Sequence, residues 1–154
     1  MTPIDWAKRP LQKYADFSGR APRPEYWWFV LAQIIVMLIA MMLDSMLGSD
    51  IGGTGYGVIY IIVALALLLP SLAVSVRRLH DTNRSGWWLL LFVVPYFLLG
   101  LLTGMAVGGA SATGLGMAGL VGIVALAGTI ALLVFMILPG TPGDNRFGPP
   151  PATD

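Results

Sequence analysis

Cysteine is absent from this chain, which removes disulfides, thiolate metal sites, iron–sulfur clusters and a cysteine nucleophile together. Histidine occurs once, at His80, and one imidazole among scattered carboxylates gives no metal-ligand set. Charge is scarce as well. Asp, Glu, Lys and Arg make up 11% of the 154 residues, against roughly a quarter in soluble domains, while 56% are hydrophobic, a balance that argues against a soluble globular protein. The net charge of +1 gives no electrostatic reason to expect nucleic acid.

What the chain does have is long apolar runs. From Trp27 to Val76 the only charges are Asp44 and Asp50, beside the turn-forming string Gly48-Ser49-Asp50-Ile51-Gly52-Gly53, and from Trp87 to Leu138 there is none. A helix crosses the hydrocarbon core in about 20 residues, so each run is long enough to cross twice. Trp28 to Leu47 and Tyr56 to Val76 form the first pair. The second folds back through Thr103 to Met117, where glycines crowd with serine and threonine, and its last helix runs from about Ala118 to Leu138. The expected fold class is all-α, a polytopic membrane protein of four transmembrane helices.

The basic residues set the expected orientation. Lys8, Arg9, Lys13, Arg20 and Arg23 precede the first span, Arg77, Arg78 and Arg84 lie between the second and third, and Arg146 lies in the tail. With four spans these segments share one side, and the positive-inside bias makes it the cytoplasm, with both termini there. Trp27, Trp28, Trp87 and Trp88 mark span boundaries as an aromatic belt does. The chain divides into a cytoplasmic N-terminal segment, residues 1–26, a transmembrane bundle, 27–138, and a cytoplasmic tail, 139–154. Thr2-Pro3-Ile4-Asp5 reads as a helix start, and Trp6, Leu11, Tyr14 and Phe17 interleave with Lys8, Arg9 and Lys13. The segment reads either as an interfacial helix on an anionic leaflet or, with Pro10 interrupting it, as an irregular tail.

The spans hold little chemistry. Asp44 is expected at headgroup level at the outer end of the first, and Gln33 is placed to bond across helices. Pro70 and Pro95 fall inside the second and third. Gly100, Gly104 and Gly108 repeat every four residues, as do the small pairs Ala118 with Gly122 and Ala127 with Ala131, so close packing of the third and fourth helices is expected there, or a homo-oligomer contact.

Polar residues gather in three blocks: Phe17 to Trp28, Arg77-Arg78-Leu79-His80-Asp81-Thr82-Asn83-Arg84-Ser85-Gly86-Trp87-Trp88, and Leu138 to Gly148. In this order around these helices, the blocks resemble the domain of unknown function 805 family of bacterial inner-membrane proteins, over roughly Tyr14 to Pro149. The string from Arg77 to Trp88 is the most specific element. Asn83 stands where the family pattern has glycine and Phe147 where it has tyrosine; asparagine tolerates the left-handed turn, and the second change removes one hydroxyl. The resemblance implies a bacterial inner-membrane location and a small helical bundle, and no activity.

His80 beside Asp81 suggests an oriented base, but neighbours on a chain point apart, and no nucleophile elbow accompanies them. No catalytic residue, metal or cofactor is expected. Helix ends on one side of a bundle lie within side-chain reach, so the three blocks are expected to form one face. Arg20, Arg23, Arg77, Arg78, Arg84 and Arg146 are its anion or headgroup ligands, and Glu25, His80, Asp81, Asp144 and Asn145 its structural polar network. Guanidinium matches carboxylate and phosphate as a planar fork, so Arg–Asp and Arg–Glu pairs should order the face and the surplus hold an anion. The expected partners are membrane lipids with anionic headgroups, a protein partner or a second copy. A small transporter or channel subunit, or a membrane-embedded enzyme acting on a lipid phosphate, stays open as an alternative.

Overall fold

The computed structural model describes residues 1–49, 51, 56–107 and 112–152, with side chains through 102 and again from 116. Among them the regular structure is helical: α1 Pro3–Gln12, α2 Arg23–Leu47, α3 Val58–Asp81, α4 Leu90–Val107 and α5 Ala112–Ile137, with a short 3₁₀ turn, Gly86–Leu89, before α4. By length and composition Arg23–Leu47, Val58–Asp81 and Gly116–Ile137 are apolar enough to cross a membrane, and Gly86–Leu102 is a shorter apolar stretch.

The segment before the first span is a helix. Thr2 accepts from the Asp5 amide while the Asp5 carboxylate accepts from the Thr2 amide, a reciprocal cap, and Pro3 occupies the first turn. Pro10 does not break it but is buried with Trp6 where α1 lies on α2 and α3. Ile4 and Leu11 stay exposed.

The return expected over Thr103 to Met117 is mostly helical. Helix α4 continues through Val107 and α5 begins at Ala112, leaving only 108–111 outside the described residues. Glycine is a weak breaker in an apolar medium, because a helix is what satisfies the backbone groups there. Of the small residues expected at the α4–α5 approach, two stand in open space, and one not among them is in close contact. A Cβ at Gly100 or Gly122 would meet nothing within 4 Å, whereas one at Gly128 would fall 2.2 Å from the Leu91 carbonyl oxygen. Spacing shows where close approach is permitted, and the crossing point of the helices selects among those positions. The expected packing of Gly104 and Gly108 lies outside the described side chains.

Two hairpins result, α2 with α3 and α4 with α5. They join at one end, where Leu79 of α3 packs with Leu132 and Met136 of α5, and Tyr26 and Leu89 border that cluster. Along the rest of the helices leucine, isoleucine and phenylalanine face outward, as in Leu65 at 64% and Ile123 at 67% exposure. The most deeply buried large side chains are instead Arg77, Arg78, Leu79 and Glu25. An apolar exterior around a charged interior is the inverse of a soluble domain.

Asp44 lies in the last turn of α2. It is fully buried and caps the next helix: its carboxylate accepts from the amides of Gly57, Ile59 and Tyr60 at 3.1, 3.0 and 2.7 Å and from the Ser49 hydroxyl at 2.6 Å. The first turn of α3 has no side-chain cap of its own, so α2 supplies one across the hairpin. Gln33 does bond across helices, accepting from Ser71 at 2.8 Å.

Candidate functional site

The three polar blocks meet where the start of α2, the end of α3 and the end of α5 come together, and the last turn of α3 makes the junction. Asn83 adopts φ +58° just past the helix. The Arg84 and Asn83 amides donate back to the carbonyls of Leu79 and His80, both at 2.9 Å, a left-handed cap that turns the chain sharply into the next segment. Asparagine thus serves where the family pattern has glycine.

Asp81 sits between two arginines. Arg20 donates to its Oδ1 from Nε at 2.9 Å, and Arg78, one helical turn back, donates to Oδ2 from Nη1. The remaining donors go to main-chain carbonyls. Arg20 reaches Gly143 at 2.7 Å and Thr141 at 2.6 Å, while Arg78 reaches Met136 at 3.1 Å and also Leu138. The Thr141 amide returns to the Asp81 carbonyl at 2.8 Å, and a Cβ at Gly140 would fall 2.3 Å from Asp81 Oδ2. Arg20, Arg78 and Asp81 are all buried. The cluster therefore fastens the tail and the end of α5 onto α3, with its surplus positive charge spread over carbonyl dipoles.

Glu25 forms a second, similar centre. It is 1% exposed, paired by Arg77 through Nη1 and approached by Arg9 of α1 at 3.6 Å. Arg77 is fully buried, yet its Nε and Nη2 have no hydrogen-bond partner among the described residues.

His80 points away from Asp81. Its Nδ1 lies 3.1 Å from the Gly19 carbonyl, and its ring stacks on Phe147 at 3.8 Å and 4°. Asn145 donates to the His80 carbonyl at 2.9 Å and to Thr141 Oγ1 at 2.7 Å, holding the tail's turn against α3. Asp144 is exposed and makes no ion pair among the described residues, so of the five members expected in the polar network it stays outside; the tail is held through its carbonyls instead. Arg23, Arg84 and Arg146 lie on the rim, each with one carbonyl contact, to Leu138, Thr82 and Asn83, at 3.2, 3.2 and 3.1 Å. Arg84 also covers the Phe135 ring at 4.1 Å.

Sequence reasoning missed Arg9, Gly140 and Thr141. Arg9 was legible in one respect, since Trp6 and Arg9 are three residues apart and share a helix face, and Trp6 is the buried anchor. Gly140 and Thr141 carried no signal, because their role depends on main-chain approach. Outside the membrane-like helices, the hydroxyl and amide of Ser18 hold the Asp16 carboxyl below its ordinary value, as Thr2 does for Asp5. Elsewhere, an open groove of about 440 Å³ between α2 and α3 is lined by Gln33, Ser71 and Tyr60 among apolar residues, with no Asp, Glu, Lys, Arg or His.

Comparison with known proteins bears on the same residues. The model of a family described as "Protein of unknown function (DUF805)" matches residues 14–149. The chain is 38% identical over 148 residues to the Escherichia coli protein named inner membrane protein YhaH, covering 96% of this chain and 97% of that one. It is 35% identical over 150 residues to inner membrane protein YhaI of the same organism, covering 96% of each. An uncharacterized protein, YiiR, is 30% identical over 84 residues, 54% of this chain. No solved structure matches.

Proposed function

The chain belongs to the DUF805 family, and from that premise we propose that it is a non-enzymatic inner-membrane protein whose arginine-rich end faces the cytoplasm and holds anionic lipid headgroups. The two relatives matched along nearly their whole length are both named inner membrane proteins, and the helices here are apolar outward. Four crossings fit the lengths. At 1.5 Å per residue the 18 residues of α4 reach about 27 Å, close to a core of about 30 Å. With an even number of crossings both termini share a side with the basic residues, and the positive-inside bias favours the cytoplasm for that side.

One observation carries the headgroup reading: the basic end has more cations than its own carboxylates engage. Arg20, Arg78 and the Asp81 carboxylate satisfy one another with neighbouring carbonyls, whereas Lys8, Lys13, Arg23, Arg84 and Arg146 form no ion pair among the described residues. Trp27, Trp28 and Trp87, at the starts of α2 and of the turn before α4, are all exposed. A leaflet surface attracts such a set of cations at about 1 kcal/mol each. The buried arginines thereby organise the face, and the rim arginines meet the phosphate.

Two measurements test this. Alkaline phosphatase fused after Asp154 should be inactive and fused near Gly53 active; the reverse overturns the orientation. Replacing Arg23, Arg84 and Arg146 together by glutamine should reduce retention of phosphatidylglycerol relative to phosphatidylcholine in native mass spectrometry, with the fold intact. Equal retention by parent and variant removes the headgroup assignment.

A further inference from the structure

Arg77 is the buried group that the pairing scheme leaves incomplete. Arg20 and Arg78, at the same end, spend the nitrogens of both guanidinium edges on Asp81 and main-chain carbonyls. Arg77 is no more exposed than Arg78, yet it is anchored to Glu25 through Nη1 alone. Its unpartnered atoms are Nε and Nη2. These two nitrogens are on one edge of the guanidinium, with their N–H bonds parallel, and that edge is the fork that takes two oxygens of one carboxylate or phosphate. A buried donor without an acceptor is costly, and here two such donors lie side by side.

Among the described residues no protein group takes that place. Glu25, the nearest carboxylate, already answers Nη1 and Arg9. Asp16, which feels the charge of Arg77, is committed to the Ser18 amide at 3.0 Å and to the Ser18 hydroxyl. The element packed beside the Glu25–Arg77 pair is α1. Its Trp6 and Pro10 are buried on α2 and α3, its Arg9 reaches Glu25, and just beyond it the Tyr14 hydroxyl donates to the Ala66 carbonyl. The opposite side of this helix exposes Ile4 at 64% and Leu11 at 45%.

We propose that the Nε/Nη2 edge of Arg77 is a binding site for a phosphate oxyanion, closed by α1 as a lid that Arg9 latches to Glu25. The phosphate comes either from a phospholipid headgroup or from a small phosphorylated molecule; both present the same pair of oxygens to the fork. The site is separate from the rim arginines, so the rim reading and this one fail independently.

The sign of one variant sets a lidded site apart from simple charge attraction. Arg9→Gln removes a cation, which weakens any site that works by net charge alone. It also unlatches α1, and a lidded site binds more tightly when its open state is more populated. The full chain in detergent is titrated with inorganic phosphate and with glycerol phosphate, and in nanodiscs of phosphatidylcholine with and without phosphatidate. The parent should bind saturably, Arg9→Gln about threefold or more tightly, and Arg77→Lys, which keeps the charge and loses the fork, about tenfold more weakly. A response in detergent identifies a soluble phosphate, and a response confined to phosphatidate a headgroup; absence of both overturns the site. So does an Arg77→Lys affinity equal to the parent's, or weaker binding by Arg9→Gln. If Arg77→Lys fails to fold by circular dichroism, the direction of the Arg9→Gln change decides. The triple glutamine variant of Arg23, Arg84 and Arg146 should leave the inorganic phosphate and glycerol phosphate affinities in detergent unchanged, and with phosphatidate the Arg77→Lys loss should persist in that background.

Discussion

The two ends of the molecule bury carboxylates by opposite means. At the far end Asp44 is held by three main-chain amides and one hydroxyl, all within the α2–α3 hairpin. At the basic end Asp81 and Glu25 are held by guanidiniums drawn from α1, from the segment before α2 and from α3. A helix N-terminus offers a carboxylate partial positive charge without introducing a new ion, so the far end is complete within one connection. Guanidiniums bring whole charges and spare donors, and the spare donors recruit carbonyls from the tail, some 60 residues from Asp81 along the chain. The far end thus stabilises a hairpin, while the basic end joins the hairpins and leaves cations over. Only the second arrangement offers an anion anything to bind.

The largest break in this comparison is Asp81→Ala. It strands Arg20 and Arg78 in a buried site, and losing one partner of such a cluster costs about 3–5 kcal/mol. Thermal unfolding in detergent should show that loss, and limited proteolysis should show the tail released from Thr141 onward. Next comes Gly140→Ala, whose Cβ would clash with the Asp81 carboxylate; overpacking of this kind costs about 1–3 kcal/mol. Its unfolding curve should resemble that of Asp81→Ala in kind but be milder. Asp44→Ala removes a cap, at about 1–2 kcal/mol, and should leave the tail protected. Combined with Asp81→Ala it should give additive losses, since the two clusters share no partner; strong coupling would show that the ends are not independent. A smaller effect is expected from Asn83→Gly, which should stabilise by about 0.5–1 kcal/mol by relieving a left-handed non-glycine residue.

The smallest effect belongs to α1. The carboxyls of Asp5 and Asp16 titrate below the ordinary value of 3.8, chiefly through the side-chain hydrogen bonds of Thr2 and Ser18. Their folded pKa values are depressed, so the stability they lend is fully present above the unfolded pKa and is lost as pH falls through the folded ones. Amide exchange in α1 should therefore rise below about pH 4 in the parent. Asp5→Asn together with Asp16→Asn should flatten that rise and leave the α2–α3 hairpin unaffected.

By itself the sequence determined that the chain is a membrane protein of apolar helices, and that its cations cluster in three blocks. These are properties of composition and local order, because a run without charge has few other places to go and hydrocarbon enforces helix. One helix boundary was misread because glycines near Thr103 break helices in water more strongly than they do against lipid, and the alternatives left open around Pro10 resolve to a helix, α1. Tertiary structure alone decided which charges are committed and which remain. Nothing in the spacing separates Arg77 from Arg78, adjacent residues of one type, yet successive helical residues point about 100° apart. One therefore meets Asp81 and the carbonyls of α5, while the other faces Glu25 with half its fork unanswered. Asp44 is a similar case, because a cap supplied across a hairpin depends on where the next helix begins in space. Partner choice among buried charges is set by direction and distance, to which composition and periodicity are blind.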